Sequence, residues 1–228
     1  MKIKMKVSKF TPVSFMVLSV IAMMAISTNA HAQKGFNLSV KATPQFSYLI
    51  NKDDKNNALY SRKATFNTNF GIGAGYDFTK NIGVAIDGLY SIQGQKYTLG
   101  GKEYYQKVNY IKVPVYFTYN TGPARLISFS GKVGPQVSFL STSKLTYNNG
   151  KDSLNNTNAY FEDATFGGAA EAGMQLRIDR NLFLVAGVRF DVDFSDAMHN
   201  DYALYPGGKA KTYNMTGGLE VGLKYNFW

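Results

Sequence analysis

Histidine is the side chain most often used to move protons near neutral pH, and this chain has two, His31 and His199. His199 stands among Ser195, Asp196, Asn200, Asp201 and Tyr202, so a nucleophile, a base and a carboxylate can be drawn there. Nothing in the spacing fixes that geometry, and a solvated loop histidine accounts for the same residues. Asp191, Asp193 and Asp196 offer oxygens to a hard cation such as calcium. Their spacing matches no EF-hand loop, and Arg189 serves equally well as an ion-pair partner. The glycines Gly71, Gly73 and Gly75 lack both the spacing and the strand–turn–helix context of a phosphate loop. Cysteine is absent, which removes disulfides and thiolate metal sites. The sequence therefore calls for no metal, no cofactor and no catalytic centre, and a non-enzymatic role is the leading expectation.

Binding chemistry is better represented. Lys96, Tyr97, Lys102, Tyr104, Tyr105, Lys144 and Tyr147 are candidate contact residues, and Lys52, Lys55, Tyr60, Arg62, Lys63, Lys107 and Lys151 extend the same pattern. Cations interleaved with amphipathic aromatics suit anionic glycans, although solvated loops have the same composition. A second set of charges lies inside strongly alternating segments: Asp87, Lys132, Glu171, Arg189, Asp191, Glu220 and Lys224. Charges of both signs on one face of a sheet are candidates for ion pairs, because a buried charge must be paired.

The segments that carry these charges alternate by twos. Phe66, Thr68, Phe70, Ile72, Ala74, Tyr76 and Phe78 share one phase, opposite Asn67, Asn69, Gly71, Gly73, Gly75 and Asp77. The pattern recurs from Ile82 to Ile92, from Phe166 to Ile178, from Leu182 to Phe194 and from Tyr213 to Phe227. These runs exceed an ordinary strand and match the ~9–11 residues of a tilted membrane-crossing one. About eight such segments can be read. Short links at 79–81, 121–125 and 179–181 alternate with long polar links near 51–64, 93–106, 141–163 and 195–211.

Alternation alone does not say which face points inward. A lipocalin-like soluble barrel encloses its apolar face, whereas a membrane barrel turns it to lipid. Mixed charges on the polar phase, alternating link lengths and the closing Tyr225-Asn226-Phe227-Trp228 favour the membrane. No apolar stretch after residue 33 approaches a spanning helix, and an open sheet cannot cross a bilayer. The expected fold is an all-β, eight-stranded antiparallel transmembrane β-barrel of the outer-membrane type, with short periplasmic turns and longer outer loops. Eight strands leave an interior just filled by side chains, so a general diffusion pore is not expected. Pro114 interrupts the strand Tyr110–Tyr119 and calls for a β-bulge; Val108, out of phase with Ile111, Val113, Val115 and Phe117, points to a register change nearby.

Residues 1–32 read as a secretory signal peptide. Lys2, Lys4, Lys6 and Lys9 precede the apolar run 13–26, and Ala30-His31-Ala32 supplies the small residues of a cleavage site. A retained anchor is the alternative, while a lipid anchor on cysteine has no residue to carry it. The barrel domain is then 33–228, and losing four lysines lowers the formal net charge from +10 to +6. Expected partners are outer-membrane lipid and lipopolysaccharide, the outer-membrane assembly machinery during insertion, and a surface glycan or envelope protein. Nucleic acid is not expected. The expected location is the outer membrane of a Gram-negative bacterium.

Several stretches together resemble a known family, the PorT-like outer-membrane barrels common in Bacteroidetes. They are Gly88-Leu89-Tyr90-Ser91-Ile92-Gln93-Gly94-Gln95-Lys96, Tyr110-Ile111-Lys112-Val113-Pro114-Val115, Gly134 to Leu140, Val188-Arg189-Phe190-Asp191-Val192 and Gly218 to Phe227. The likeness covers the chain beyond the leader. The Tyr-x-x-x-Pro element is its most specific part, and the final Trp228, out of the apolar phase, is its clearest departure. The resemblance implies an eight-stranded envelope barrel and allows a role in a secretion or assembly complex. It assigns no activity. A lipid-modifying enzyme using His199 and a soluble ligand-binding barrel are the remaining alternatives.

Overall fold

The computed structural model describes residues 35–51, 61–99, 102–122, 125–147, 152–199 and 211–227. The expected signal peptide, Trp228, and the loop residues Lys52, Lys55, Tyr60 and Lys151 lie outside the described residues. Nine strands appear in chain order: β1 Gly35–Asn51, β2 Ser61–Asp77, β3 Ile82–Leu99, β4 Lys102–Asn120, β5 Ile127–Tyr147, β6 Asp152–Asn155, β7 Ala164–Arg177, β8 Leu182–Asp193 and β9 Thr212–Phe227. Every long strand pairs antiparallel with its neighbours in sequence, and β1 closes on β9 while β4 pairs with β5. The eight long strands form a closed ring. The short β6 pairs only with the end of β5. Among the described residues there is no α-helix, only a 3-10 turn at Asn158–Tyr160.

The two phases of each strand have opposite environments. Ile72 is 67% exposed and Phe66 64%, while Lys112, Gln136 and Ser138 are at 0%. The apolar phase faces outward and the polar phase fills the ring. In water such an arrangement would expose most of the hydrophobic surface; in lipid that surface is satisfied and every backbone group is paired inside the sheet. Outward aromatics meet across strand pairs, as in Phe46 with Phe66 (5.3 Å between ring centres) and Phe36 with Phe227 (5.9 Å). This is the cross-strand unit of sheet stability.

At one end the turns are short and built twice on the same plan. In Phe78-Thr79-Lys80-Asn81 the amides of Phe78 and Thr79 donate to Ile82 O at 2.9 and 3.1 Å. In Ile178-Asp179-Arg180-Asn181 the amides of Ile178 and Asp179 donate to Leu182 O at 2.9 and 3.1 Å. Each turn's asparagine then ties down the strand beside it: Asn81 Nδ2 donates to Asn120 O at 2.7 Å, and Asn181 Nδ2 to Asn226 O at 2.8 Å.

The other end is lopsided. β3, β4 and β5 run 18, 19 and 21 residues, against 14 and 12 for β7 and β8. The strand ends are tied together at the short-turn end, so the surplus projects beyond the long-loop end. This corrects the expected long links at 93–106 and 141–163, much of which is strand. Above the lipid both faces of a strand are wet, so the apolar contrast that marks a spanning segment disappears although the strand continues.

Pro114 is accommodated without a bulge. Pairing of β3 with β4 keeps one register on both sides of it and skips Asp87 and Gly88 opposite Val113 and Pro114, where the missing N–H would have been used. The register change lies on β5, where Thr142 pairs with Asn109 but Leu140 pairs with Tyr110, leaving Ser141 unmatched. Val108 keeps the phase of β4; it faces inward and packs with Tyr110 and Phe161.

Candidate functional site

Charged residues form two groups, one inside the ring and one outside it. The interior group is built on the inward-facing phase of each strand. Glu171 on β7 is its hub: Lys132 Nζ lies 2.6 Å from Glu171 Oε2, Arg189 Nη1 2.5 Å from Oε1, and Lys41 Nζ 3.4 Å from Oε2. The Tyr116 hydroxyl also donates to Glu171 Oε1 at 2.8 Å and accepts from Arg189. Lys41 reaches Asp87 Oδ2 at 2.7 Å and Glu220 Oε1 at 3.4 Å. Asp191 is held by Lys112, by Thr216 Oγ1 at 2.7 Å, and by an ion-pair contact with Arg189 Nε at 3.5 Å. Lys224 lies 3.6 Å from Asp77 Oδ2.

The structure thus brings together Asp87, Lys132, Glu171, Arg189, Asp191 and Glu220, with Lys224 beside Asp77 toward the short-turn end. Sequence reasoning missed Lys41, Lys112 and Asp77. The signal for Lys112 was present, since it alternates with Ile111 and Val113; Lys41 alternates in the same way with Val40 and Ala42. Gly73 makes the close packing possible, because a Cβ there would stand 2.1 Å from Asp87 Oδ1. A cavity of about 40 Å³ remains between this network and the short-turn end, with Asn37, Asp77, Lys132, Glu220 and Lys224 among its lining residues. That is room for a few waters and not for a solute path.

Toward the long-loop end ion pairs give way to hydrogen bonds, with Asp193 accepting from Thr165 Oγ1 at 2.9 Å and Asn214 Nδ2 at 2.8 Å. Ser47 Oγ donates to Gly94 O at 3.0 Å, Leu49 N to Gln95 Oε1 at 2.9 Å, and Gln106 Nε2 to Ser143 Oγ at 2.8 Å. Two connecting segments then fold inward. Phe161, following the 3-10 turn, bridges to Met198, and Glu162 N donates to Ala197 O at 3.1 Å. Phe161 is 1% exposed and caps Val108 and Tyr110, with Leu140, Tyr160 and Met198 packed around them. Ions and apolar side chains therefore occlude the ring at two successive levels.

Of the residues considered for catalysis, Asn200, Asp201 and Tyr202 lie outside the described residues, and the other three are occupied elsewhere. His199 Nδ1 lies 3.0 Å from Glu162 Oε1, Ser195 Oγ accepts from Phe166 N at 2.8 Å, and Asp196 Oδ1 accepts from the amides of Met198 and Thr212 at 3.2 and 2.9 Å. No serine–histidine–aspartate arrangement is assembled from these three. Nor do the aspartates converge as a calcium cage: Asp193 accepts from Thr165 and Asn214 while Asp191 faces Lys112. Among the described residues no group of three or more candidate ligands converges.

The binding candidates are split between two faces of the projecting sheet. Lys63 pairs with Lys96, and Lys96 with Tyr105; one row nearer the barrel Lys107 pairs with Lys144. These five share the outward phase that lower down carries Ile111. Tyr97 pairs with Tyr104 on the opposite phase, and Tyr97 is buried at 8% exposure. Lys102 has the same parity as Tyr104, at the tip of the hairpin, and Tyr147 that of buried Ser143. Tyr105 lies across Gly94, where a Cβ would meet its ring carbon at 2.8 Å, and its hydroxyl donates to Asn67 Oδ1 at 3.3 Å. The side chain of Arg62 lies outside the described set.

A family profile described as outer membrane protein beta-barrel domain matches residues 15–227. The chain belongs to that family. Its members lie in the outer membrane, and the inside-out ring agrees with that location. No curated protein matches the sequence. Among solved structures the chain is similar to Neisserial surface protein A (13% identity, TM-score 0.47, covering 85% of this chain and 97% of that one). It is also similar to outer membrane protein W of E. coli (17%, 0.45, 87% and 100%) and to Ail, the attachment invasion locus protein of Yersinia pestis (13%, 0.42, 85% and 99%). Likeness at this level says nothing of what this barrel binds.

Proposed function

We propose that this is a non-enzymatic outer-membrane barrel, exported by way of a cleaved signal peptide, that works through its outer surface by holding anionic saccharide. The observation that supports this reading most is the contrast between a doubly occluded interior and a projecting sheet that carries Lys63, Lys96, Lys107 and Lys144 beside Tyr105. By the rule that short turns lie in the periplasm and long loops outside, that sheet stands at the cell surface. The test is retention of the purified barrel on a sulfated polysaccharide such as heparin over a salt series. The expected result is retention that falls steeply between low and physiological salt, since exposed charges are screened within ~8 Å at 0.15 M. Retention independent of salt, or none at low salt, contradicts the reading.

A second reading, an accessory role in an outer-membrane secretion or assembly complex, is supported by the PorT-like stretches around Pro114. It predicts co-purification of a stable partner in mild detergent, and a lone monomer counts against it.

A further inference from the structure

The four lysines face sideways, not upward, and that direction selects their partner. On β4 the outward phase runs Ile111, Asn109, Lys107, Tyr105 toward the tip, and on β3 it runs Ile92, Gly94, Lys96. Ile111 belongs to the lipid-facing belt, 47% exposed. Next comes a polar band, in which Asn109 Nδ2 donates to Tyr90 OH at 3.0 Å and to Thr142 Oγ1 at 2.9 Å. Lys107 follows four residues beyond Ile111, which is about 13 Å along the strand and about 10 Å along the membrane normal at usual barrel tilts. The head-group layer is about 5–8 Å deep, and a lysine reaches back along its own stem. Lys96 and Lys63, one row higher, stand about 15 Å above Ile111 along the normal, so the four ammonium groups line the outside of the barrel wall at and just above the leaflet's head groups.

The rows are compact. Lys63 is the Cα partner of Lys96, and Lys107 that of Lys144, so the four span four adjacent strands, about 14 Å across at ~4.8 Å per strand. No acid occupies either row, and none of the four makes an ion pair or side-chain hydrogen bond among the described residues. Cations held this close repel one another unless an anion lies between them. Tyr105, which reaches over Gly94, places an aromatic ring beside Lys96, a group against which sugar can pack.

We infer that Lys63, Lys96, Lys107 and Lys144 bind the phosphate groups of a phosphorylated glycolipid in the same leaflet, with Tyr105 against its sugar. This rests on the surface-binding reading above and narrows it from anionic saccharide in general to the barrel's own lipid neighbours. A ligand arriving from the medium would meet the upward-facing tips, at Lys102 and Tyr147, before this wall.

The test uses the full barrel in nanodiscs containing fluorescent lipid A, its dephosphorylated form as control, and heparin in solution as the competing source. The variant with all four lysines changed to Gln is compared with Lys80→Gln, an exposed lysine of the short turn at the other end, and the gel shift on heating checks that both fold. The expected result is at least a tenfold loss of lipid A binding in the fourfold variant, none in Lys80→Gln, and no preference for wild type over the variant on dephosphorylated lipid. Unchanged lipid A binding in the folded fourfold variant overturns the inference. If heparin retention then falls instead, the surface-binding reading survives and the ligand comes from the medium. If wild type retains neither ligand, both fail.

Discussion

Lysines occupy two regions of this barrel under opposite conditions. Inside, Lys41 faces Asp87, Glu171 and Glu220, and Lys112 faces Asp191. Outside, Lys63, Lys96, Lys107 and Lys144 stand in rows with no acid. The interior charges of the Glu171 network are paired within the protein, with Glu220 Oε2 and Asp193 Oδ1 left without a hydrogen bond among the described residues, so their main contribution is to hold strands in place and close the lumen. The outer charges have no ion-pair partner among the described residues, and the proposed function gives them an anion outside the protein. On that proposal the same side chain marks architecture in one place and recognition in the other, and substitution should separate the two.

The largest effect is expected at the hub. Glu171→Leu leaves Lys132, Arg189 and Lys41 short of a carboxylate, and unmatched buried charge costs about 3–5 kcal/mol. Urea unfolding in lipid vesicles measures it, and a loss under 1 kcal/mol would show that the network is hydrated rather than buried. Lys112→Met should cost somewhat less, about 3 kcal/mol, because Asp191 keeps Thr216 and Arg189. Adding Asp191→Leu should recover most of that loss, since an apolar pair can replace a buried ion pair at little cost; additive losses would contradict the pairing. Gly73→Ala pushes a methyl against Asp87 and is expected to cost about 1–3 kcal/mol by overpacking, read from the same unfolding curves. Smallest of all, the fourfold lysine-to-glutamine variant should shift stability by no more than about 0.5 kcal/mol while lowering the salt at which the barrel elutes from heparin or releases lipid A.

Legibility in the sequence followed the same division. The spanning halves of β2, β3, β7, β8 and β9 were readable because lipid on one side and a packed lumen on the other force opposite polarity on successive residues. Lys112 obeyed that alternation and could have been named beside Glu171 and Arg189. Partner choice across the ring was not readable, because which carboxylate meets Lys41 depends on register and shear among strands far apart in sequence. The projecting ends of β3, β4 and β5 looked like loops, since water on both faces erases the contrast. With them went the fact that Lys96 and Tyr105 lie on one face and Tyr97 and Tyr104 on the other. Pro114 misled in a smaller way: a skipped pairing at Asp87 and Gly88 absorbed it, and the unmatched residue fell at Ser141, which carries no sequence mark.

The account depends on which end of the barrel meets the outside. With no native cysteine in the chain, single Lys96→Cys and Arg180→Cys variants can be treated, in intact cells, with a membrane-impermeant maleimide. Labelling of the Lys96→Cys protein alone is the predicted result, and it would put the basic sheet at the surface and the Arg180 turn in the periplasm. Labelling of the Arg180→Cys protein alone would invert the barrel and remove the lysine rows from the leaflet they are proposed to bind.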